Sequence, residues 1–553
     1  MKIFSLFMSF IMTFFSFYFY AFFDLFKGIS TAEITVDTSE TGNTIPNVVD
    51  NINIWHMGNS FYNAQRNEKY DVFEFVKYVQ LMQCTGGTAD RDLFENPEDR
   101  TTFTDYKFDT LIENCRGILN IGAKPHLKLG GVPIKFTSDY ELGGFDMNVY
   151  PPDDYNVYYD YIKAIAQALV DEFGIEEVRT WRFGCMTEYE NEAWFKAKSG
   201  DPEESAEAYC KLYDYTVQAL IDVIGNDVFV GAHSMTVTEG LWDEEIFIRH
   251  VAEGTNYANG GKGTRICFLS ASFYDSNPGK FTKGYTLPET IDYIKSTAEK
   301  YGLDNLIYGI DEGRILSGNT SGKDSDQLLN RTTGYTWQAA YDARLFAQAI
   351  NSGADYFSSW NFLTNGNFDG YPTISYHVAE NLAKFEGFKI LSAEQKELKT
   401  GVKVEIGNLV AVDEETGLIR AMVYNFKNDP DFSKKADITI NIPAEDGKKF
   451  RVTQYLINDD CNFFDEWQED RKTYNITDDC FSWSPDDPCI DNITTLSDPE
   501  AIEIYQTNLR DKYEKCAELS PSEYEAVASE GVLSLNIMLD ASNVVFFEID
   551  EIK

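Results

Sequence analysis

Apolar and polar positions along this chain follow two different periods. From Asp71 to Trp360, stretches of helical period alternate with short apolar runs. The clearest helix runs from Tyr155 to Phe173, where Val157, Tyr161, Ile165, Leu169 and Phe173 recur every fourth residue. It leads into Glu177 to Asn191, which reads as a mostly apolar strand ending in carboxylates. Asp71 to Lys77 reads as a helix before the strand Val79 to Met82, and Phe108 to Leu119 as a helix before Ala123 to Leu129. Ala206 to Ile224 precedes Asp227 to His233, and the strands Arg265 to Ser270 and Leu306 to Ile310 follow. A helix from Thr336 to Ile350 then delivers Asp355 to Trp360. Such alternation predicts a parallel α/β fold. No Gly-x-Gly-x-x-Gly turn follows the first strand, which weighs against a nucleotide-binding sheet, so a (β/α)8 TIM barrel is expected.

From about Phe388 the period changes to two. Ile419 to Tyr424, Ala436 to Ile442, Phe450 to Leu456 and Val532 to Leu539 alternate between apolar and polar residues, with Asn, Asp and Gly in the turns. These strands predict a C-terminal β-sandwich, with Asp478 to Pro499 as a long solvated loop. Ala32 to Asp37 alternates like an edge strand and is expected to join a sheet outside the barrel. At the N-terminus, Lys2 precedes an apolar run that reaches Phe23. This is the pattern of an export signal or of a single membrane anchor, and either places the remainder outside the cytoplasm, secreted or extracytoplasmic. The expected organisation is a signal or anchor at 1–32, a barrel at 33–387 whose first strand joins the sandwich, and the sandwich at 388–553.

Charge narrows the partners. Lys and Arg total 47 against 90 Asp and Glu, a formal charge of -43, which argues against nucleic acid, because phosphate binding needs clustered cations. The four late cysteines, Cys461, Cys480, Cys489 and Cys516, could form two disulfides in an oxidising compartment. His56, His126, His233, His250 and His377 are too dispersed for a metal-site spacing, so the expected mechanism needs neither metal nor cofactor.

Two strand ends carry acids. Glu188 and Glu190 close the stretch that begins at Glu177, and Asp311 and Glu312 close Asn305 to Arg314. Parallel barrels keep their chemistry at strand ends, and two carboxylates facing one cleft are what glycoside hydrolysis requires.

Around these acids the chain resembles glycoside hydrolase family 39, which includes β-xylosidases and α-L-iduronidases. The segment Trp181 to Glu190 can be laid without a gap along the family's strand-four signature, aromatic-x-Phe-Glu-x-Trp-Asn-Glu-Pro-Asn, and Glu188 then falls on the acid/base. Asp311-Glu312 is similar to the strand-seven Thr-Glu, which implies Glu312 as nucleophile. Phe357-Ser358-Ser359-Trp360 is similar to the strand-eight segment whose tryptophan floors the sugar site, and Gly122 to Pro133 to the strand-three segment. Val452 to Asn458 resembles a stretch of the family's second domain. The chain departs from the pattern at Thr187, where the family has Asn, at Tyr189, where it has Pro, and at Ser272, where it has His.

The resemblance implies a retaining enzyme acting on a β-xyloside-like or related oligosaccharide, with Thr187, Trp360, Tyr274, His126, His233 and Arg314 as candidate carbohydrate-binding residues. An α-specific hydrolase, iduronidase-like or arabinosidase-like, and a non-catalytic carbohydrate-binding protein on the same scaffold remain open. A uronate would need a cation, for which Arg91, Lys128, Arg182 and Arg314 are the candidates.

Overall fold

The long amphipathic helix forms over Tyr155–Phe173, with the Asp154 side chain accepting from the Asn156 amide at its start and Gly174, at φ 85°, ending it. Its neighbour, Pro202–Ile224, starts four residues earlier than the hydrophobic pattern indicates. Asp201 caps the amides of Glu203 and Glu204, and Pro202 occupies a first-turn position where no amide hydrogen is needed. These two helices pack against one another on the outside of a barrel.

The computed structural model describes residues 29–54, 69–82, 84–88, 91–143, 146–235, 240–274, 286–314, 336–360, 364–365, 369–399, 404–427, 432–475 and 499–553. Residues 1–28 of the expected signal or anchor and the greater part of the Asp478–Pro499 loop lie outside these residues, whereas Ser30, Thr31 and Ala32, assigned to that segment, already belong to a strand. Among those described, no helix is long and apolar enough to cross a membrane.

Eight parallel strands close the barrel: β2 (Asn51–Ile54), β3 (Tyr78–Leu81), β4 (Lys124–Leu129), β5 (Arg182–Cys185), β6 (Phe229–Ser234), β7 (Phe268–Tyr274), β8 (Ile307–Arg314) and β9 (Tyr356–Trp360). The ring is completed by β9 pairing with β2, Asn53 opposite Trp360. Two stretches differ from the elements their sequence predicts. Asp71 to Lys77 forms turns, not a helix: Asp71 Oδ1 accepts from the Phe73 amide, and seven residues are too few to sustain helix nucleation against that local alternative. The strand expected from Glu177 shrinks to Arg182–Cys185, because Ile175–Val178 winds as one helical turn.

The remaining chain contributes a two-residue hairpin, β10 (Thr364–Asn365) and β11 (Tyr371–Pro372), and then a nine-stranded sheet. That sheet consists of β1 (Ser30–Thr44), β12 (Lys389–Lys399), β13 (Glu405–Val412), β14 (Ile419–Phe426), β15 (Ala436–Pro443), β16 (Lys449–Ile457), β17 (Ser522–Val527), β18 (Val532–Leu539) and β19 (Val544–Glu551). Its strands bury a common apolar core of Ile34, Val410, Val423, Ile440, Val452 and their neighbours. The N-terminal strand does leave the barrel for this sheet, but it is not at an edge. It lies between β12 and β15, bonded to both, and the alternation at Ala32, Ile34 and Val36 is that of an interior strand with one buried face. Cys461 and Cys516 are free thiols rather than partners in the expected disulfides, and Cys480 and Cys489 fall outside the described residues.

Candidate active site

β5 ends in a backbone that departs from extended geometry. Met186 has φ 62° and Glu188 φ 41°, left-handed values that cost a non-glycine residue about 1 kcal/mol or more each. The strained turn is held by the Met186 amide on the Leu129 carbonyl, at 3.3 Å, and the Tyr189 amide on the His233 carbonyl, at 3.2 Å. It brings Glu188 over the C-terminal mouth of the barrel. One carboxylate oxygen, Oε2, accepts from Asn191 Nδ2 at 2.8 Å and Trp194 Nε1 at 3.1 Å; the other, Oε1, accepts from Ser272 Oγ at 2.6 Å.

Glu312 is placed by an irregularity in β8. Ala271 of β7 pairs with Ile310, yet Ser272 pairs with Glu312, so Asp311 is the extra residue of a bulge. A bulge re-aims side chains, and here it lets consecutive acids serve different levels. Asp311 is buried within the barrel, where Lys128 Nζ and Tyr356 OH donate to its carboxylate. Glu312 stands at the mouth, with Tyr274 OH donating to Oε1 at 2.5 Å and Thr187 Oγ1 to Oε2 at 3.4 Å. A carboxylate oxygen of Glu188, a carboxylate oxygen of Glu312 and a ring nitrogen of His233 all lie within 4.8 Å of one another.

Below the mouth the barrel is filled by polar groups. Lys128 reaches the axis because its neighbour on β5 is Gly184, where a Cβ would come within 2.9 Å of the lysine Cδ. Tyr356 reaches Asp311 by crossing Gly309, whose Cβ would lie 2.4 Å from the ring. Burial is the largest single influence on Asp311 and opposes its charge, but the Lys128 ammonium, the neighbouring His126 and His233 and the hydrogen bond from Lys128 together hold the carboxyl well below the usual carboxylate range. The backbone carbonyl of Asp311 also accepts from Asn53 Nδ2 and Gln80 Nε2, at 2.6 and 2.9 Å. Thus the base of the candidate nucleophile is tied to β2, β3, β4 and β9. Lys128→Met is expected to destabilise the protein by about 3–5 kcal/mol, because it leaves a buried, uncompensated carboxylate. Equilibrium denaturation in urea would measure this; a change below about 1 kcal/mol would mean that Asp311 is neutral in the fold.

The other candidates fall at distinct places. His233 is fully buried, with Nδ1 at 2.8 Å from Thr187 Oγ1 and Nε2 at 2.8 Å from Ser272 Oγ. Burial, with the Lys128 charge next, keeps its pKa well below the ordinary histidine value, so the ring is neutral. Both ring nitrogens meet hydroxyls, so the neutral ring donates through one nitrogen and accepts through the other. His126 lies deeper, opposite Arg182 and edge-on to Phe268, and burial holds its pKa at about 3. Arg314 forms a two-point ion pair with Asp342, at 3.0 and 2.9 Å, and donates to Ser375 Oγ. Arg182 stacks 3.7 Å from the Tyr78 ring centroid at the opposite end of the barrel from the glutamates. Arg91 donates to Met147 Sδ at 3.7 Å. The Trp360 backbone closes β9, and its side chain lies outside the described residues.

Glu190, the rival acid on the same turn, is fully buried and turned away. Its Oε1 accepts from Ser234 Oγ at 2.7 Å and the Met235 amide at 2.6 Å, and burial, reinforced by Glu244, pushes its pKa up to about 8. Sequence reasoning missed Asn191 and Trp194, which hold Glu188, and Tyr356, which holds Asp311. Asn191 and Trp194 had one available signal, a spacing of three and six residues from the acid in a loop that has to fold back over it.

Comparison with known proteins bears on the family and the fold. A family model described as glycosyl hydrolases family 39 matches residues 88–416. A β-xylosidase of Geobacillus stearothermophilus is 22% identical over 468 residues, 81% of each chain. The crystal structure of a monomeric β-xylosidase from Caulobacter crescentus CB15 superposes with a TM-score of 0.62 at 15% identity, covering 94% of this chain and 100% of that one. A bacterial orthologue of human α-L-iduronidase superposes with a TM-score of 0.63 at 14% identity, covering 94% and 84%.

Proposed function

This chain belongs to glycosyl hydrolases family 39 and is a glycosidase, and we propose that it cleaves β-xylosides or related short oligosaccharides with retention of configuration. The observation that supports this reading most is the approach of the Glu188 and Glu312 carboxylates, whose nearest oxygens lie within 4.8 Å of each other. Retaining glycosidases hold their acids about 5–5.5 Å apart, whereas inverting enzymes need about 6.5–9.5 Å to admit a water. In the proposed reaction Glu312 attacks the anomeric carbon as Glu188 protonates the leaving oxygen. A glycosyl ester on Glu312 forms and the glycosidic C–O bond breaks. Glu188, now ionised, takes a proton from water, and the water oxygen displaces Glu312.

The donors around each acid suit these roles. Tyr274 and Thr187 orient the nucleophile, and Asn191 and Trp194 fix one oxygen of Glu188 while the other stays on Ser272. The β-xyloside reading is supported by the β-xylosidase relatives. A uronate substrate is less well served, since Lys128 and Arg314 are each committed to a buried aspartate and Arg182 lies at the far end of the barrel.

Hydrolysis of 4-nitrophenyl β-xyloside followed by proton NMR from the first minutes tests the proposal. β-Xylose should appear first and mutarotate later. Initial α-xylose would make the enzyme inverting, and hydrolysis of only α-linked substrates in a nitrophenyl glycoside panel would replace the β-xyloside reading with the α-specific one.

A further inference from the structure

Two of the positions at which the chain departs from the family pattern, Thr187 and Ser272, are joined through His233. Starting at Glu188, Oε1 meets Ser272 Oγ at 2.6 Å, and Ser272 Oγ meets His233 Nε2 at 2.8 Å. On the other side, His233 Nδ1 meets Thr187 Oγ1 at 2.8 Å, and Thr187 Oγ1 meets Glu312 Oε2 at 3.4 Å. We propose that Glu188, Ser272, His233, Thr187 and Glu312 form one hydrogen-bond relay that is complete only when the two glutamates hold a single proton between them, so that His233 is a positioning residue coupling their ionisation. This rests on the retaining reading for the roles of the two acids.

Counting hydrogens gives the reason. The relay has four contacts, and its own members bring three hydrogens: one on each hydroxyl and one on the neutral imidazole. One carboxyl proton supplies the fourth. With that proton on Glu188, every hydrogen points toward Glu312: Glu188 donates to Ser272, Ser272 to Nε2, Nδ1–H to Thr187, and Thr187 to the ionised nucleophile. With the proton on Glu312, every hydrogen is shifted by one contact, the imidazole carries its hydrogen on Nε2, and Ser272 donates to an ionised Glu188. With both acids ionised one contact has no hydrogen, and with both protonated one hydrogen has no contact. The relay therefore favours the one-proton state that a retaining enzyme needs before the first step. The other oxygen of each acid is held by donors outside the relay, Asn191 and Trp194 for Glu188 and Tyr274 for Glu312. Among the described residues, the titratable groups facing it from the elements packed around it include His126 and Lys128 on β4, Cys185 on β5, Tyr274 on β7, Asp311 on β8 and Tyr356 on β9. None of them is a member of the chain of contacts that the tests below cut.

The His233 tautomer reads the relay directly. Nitrogen NMR of histidine-labelled protein near neutral pH should show His233 protonated on Nδ1 in the wild type. In Glu312→Gln it should move to Nε2. The amide oxygen takes the Tyr274 hydroxyl, its NH2 donates to Thr187, and Thr187 must then donate to Nδ1. The signal is assigned by its loss in His233→Gln or, if that variant does not fold, by its displacement in Thr187→Val. An unchanged tautomer in Glu312→Gln overturns the relay.

Kinetics give a second reading with opposite signs. Thr187→Val leaves two contacts and two hydrogens on the Glu188 side, so Glu188 should lose its proton more readily and the alkaline limb of kcat/KM should move down by about one pH unit. Ser272→Ala removes a donor from ionised Glu188 and should move that limb up. Shifts of the same sign, or loss of activity with an unmoved limb, would reduce both residues to structural roles. A protein that hydrolyses no glycoside would defeat the functional reading while the tautomer comparison still decides the relay. Retained hydrolysis with an unswitched tautomer would defeat the relay alone.

Discussion

Glu312→Gln is expected to lower kcat on aryl β-xylosides by roughly four orders of magnitude or more with the fold intact. The amide preserves the shape that Tyr274 and Thr187 contact but has no charge with which to attack the anomeric carbon, so no glycosyl ester forms. The scaffold should tolerate the change, because Glu312 stands at the barrel mouth while Asp311, one residue earlier, carries the ion pair to Lys128. Urea denaturation should show little change in midpoint, and an inactive but destabilised variant would point to a structural role. Activity within about tenfold of wild type would remove Glu312 from the nucleophile's role.

Glu188→Ala is expected to separate the two half-reactions. Substrates with poor leaving groups need protonation at the glycosidic oxygen and should slow by about 10²–10⁴-fold. Activated phenols leave unaided, so the first step should survive and the glycosyl-enzyme accumulate, seen as a burst of phenol followed by a slow steady state. Azide needs no general base. Added to this variant, it should restore turnover and yield a β-glycosyl azide. The environment of Glu190 predicts a contrast: it is buried against Ser234 and Met235, so Glu190→Ala should cost stability without an azide effect. If azide instead rescues Glu190→Ala, the acid on this turn has been assigned two residues too early.

The burial that turned Glu190 away could not be read along the chain. Two acids two residues apart on an extended strand would share a face. Left-handed backbone at Met186 and Glu188 breaks that alternation, sending Glu188 to the cleft and Glu190 to Ser234. The same limit applied to Arg314 and Lys128. As sequence they are cations near a candidate anion site, but each meets an aspartate distant in sequence, Asp342 and Asp311 respectively. Asp71 to Lys77 was misread for a local reason, an Asx turn competing with a helix too short to win.

What the sequence determined by itself is whatever depends on periodicity and on residues close along the chain. The four-residue apolar repeat from Tyr155 to Phe173, with Asp154 before it and Gly174 after it, specifies a helix wherever it is placed. The alternation of such helices with short apolar runs specifies a barrel, and the change to period two after Phe388 specifies the strand-rich domain. The order of Glu188 and Glu312 along the chain already implied a shared cleft. Tertiary structure alone decided the β8 bulge that separates Asp311 from Glu312, the contacts that join Thr187 and Ser272 through His233 at the cleft and, outside the barrel, the interior place of β1 between β12 and β15. Each of these depends on contacts between strands far apart in sequence, set by inter-strand register and by which side chains the closed barrel buries, and a one-dimensional pattern carries neither.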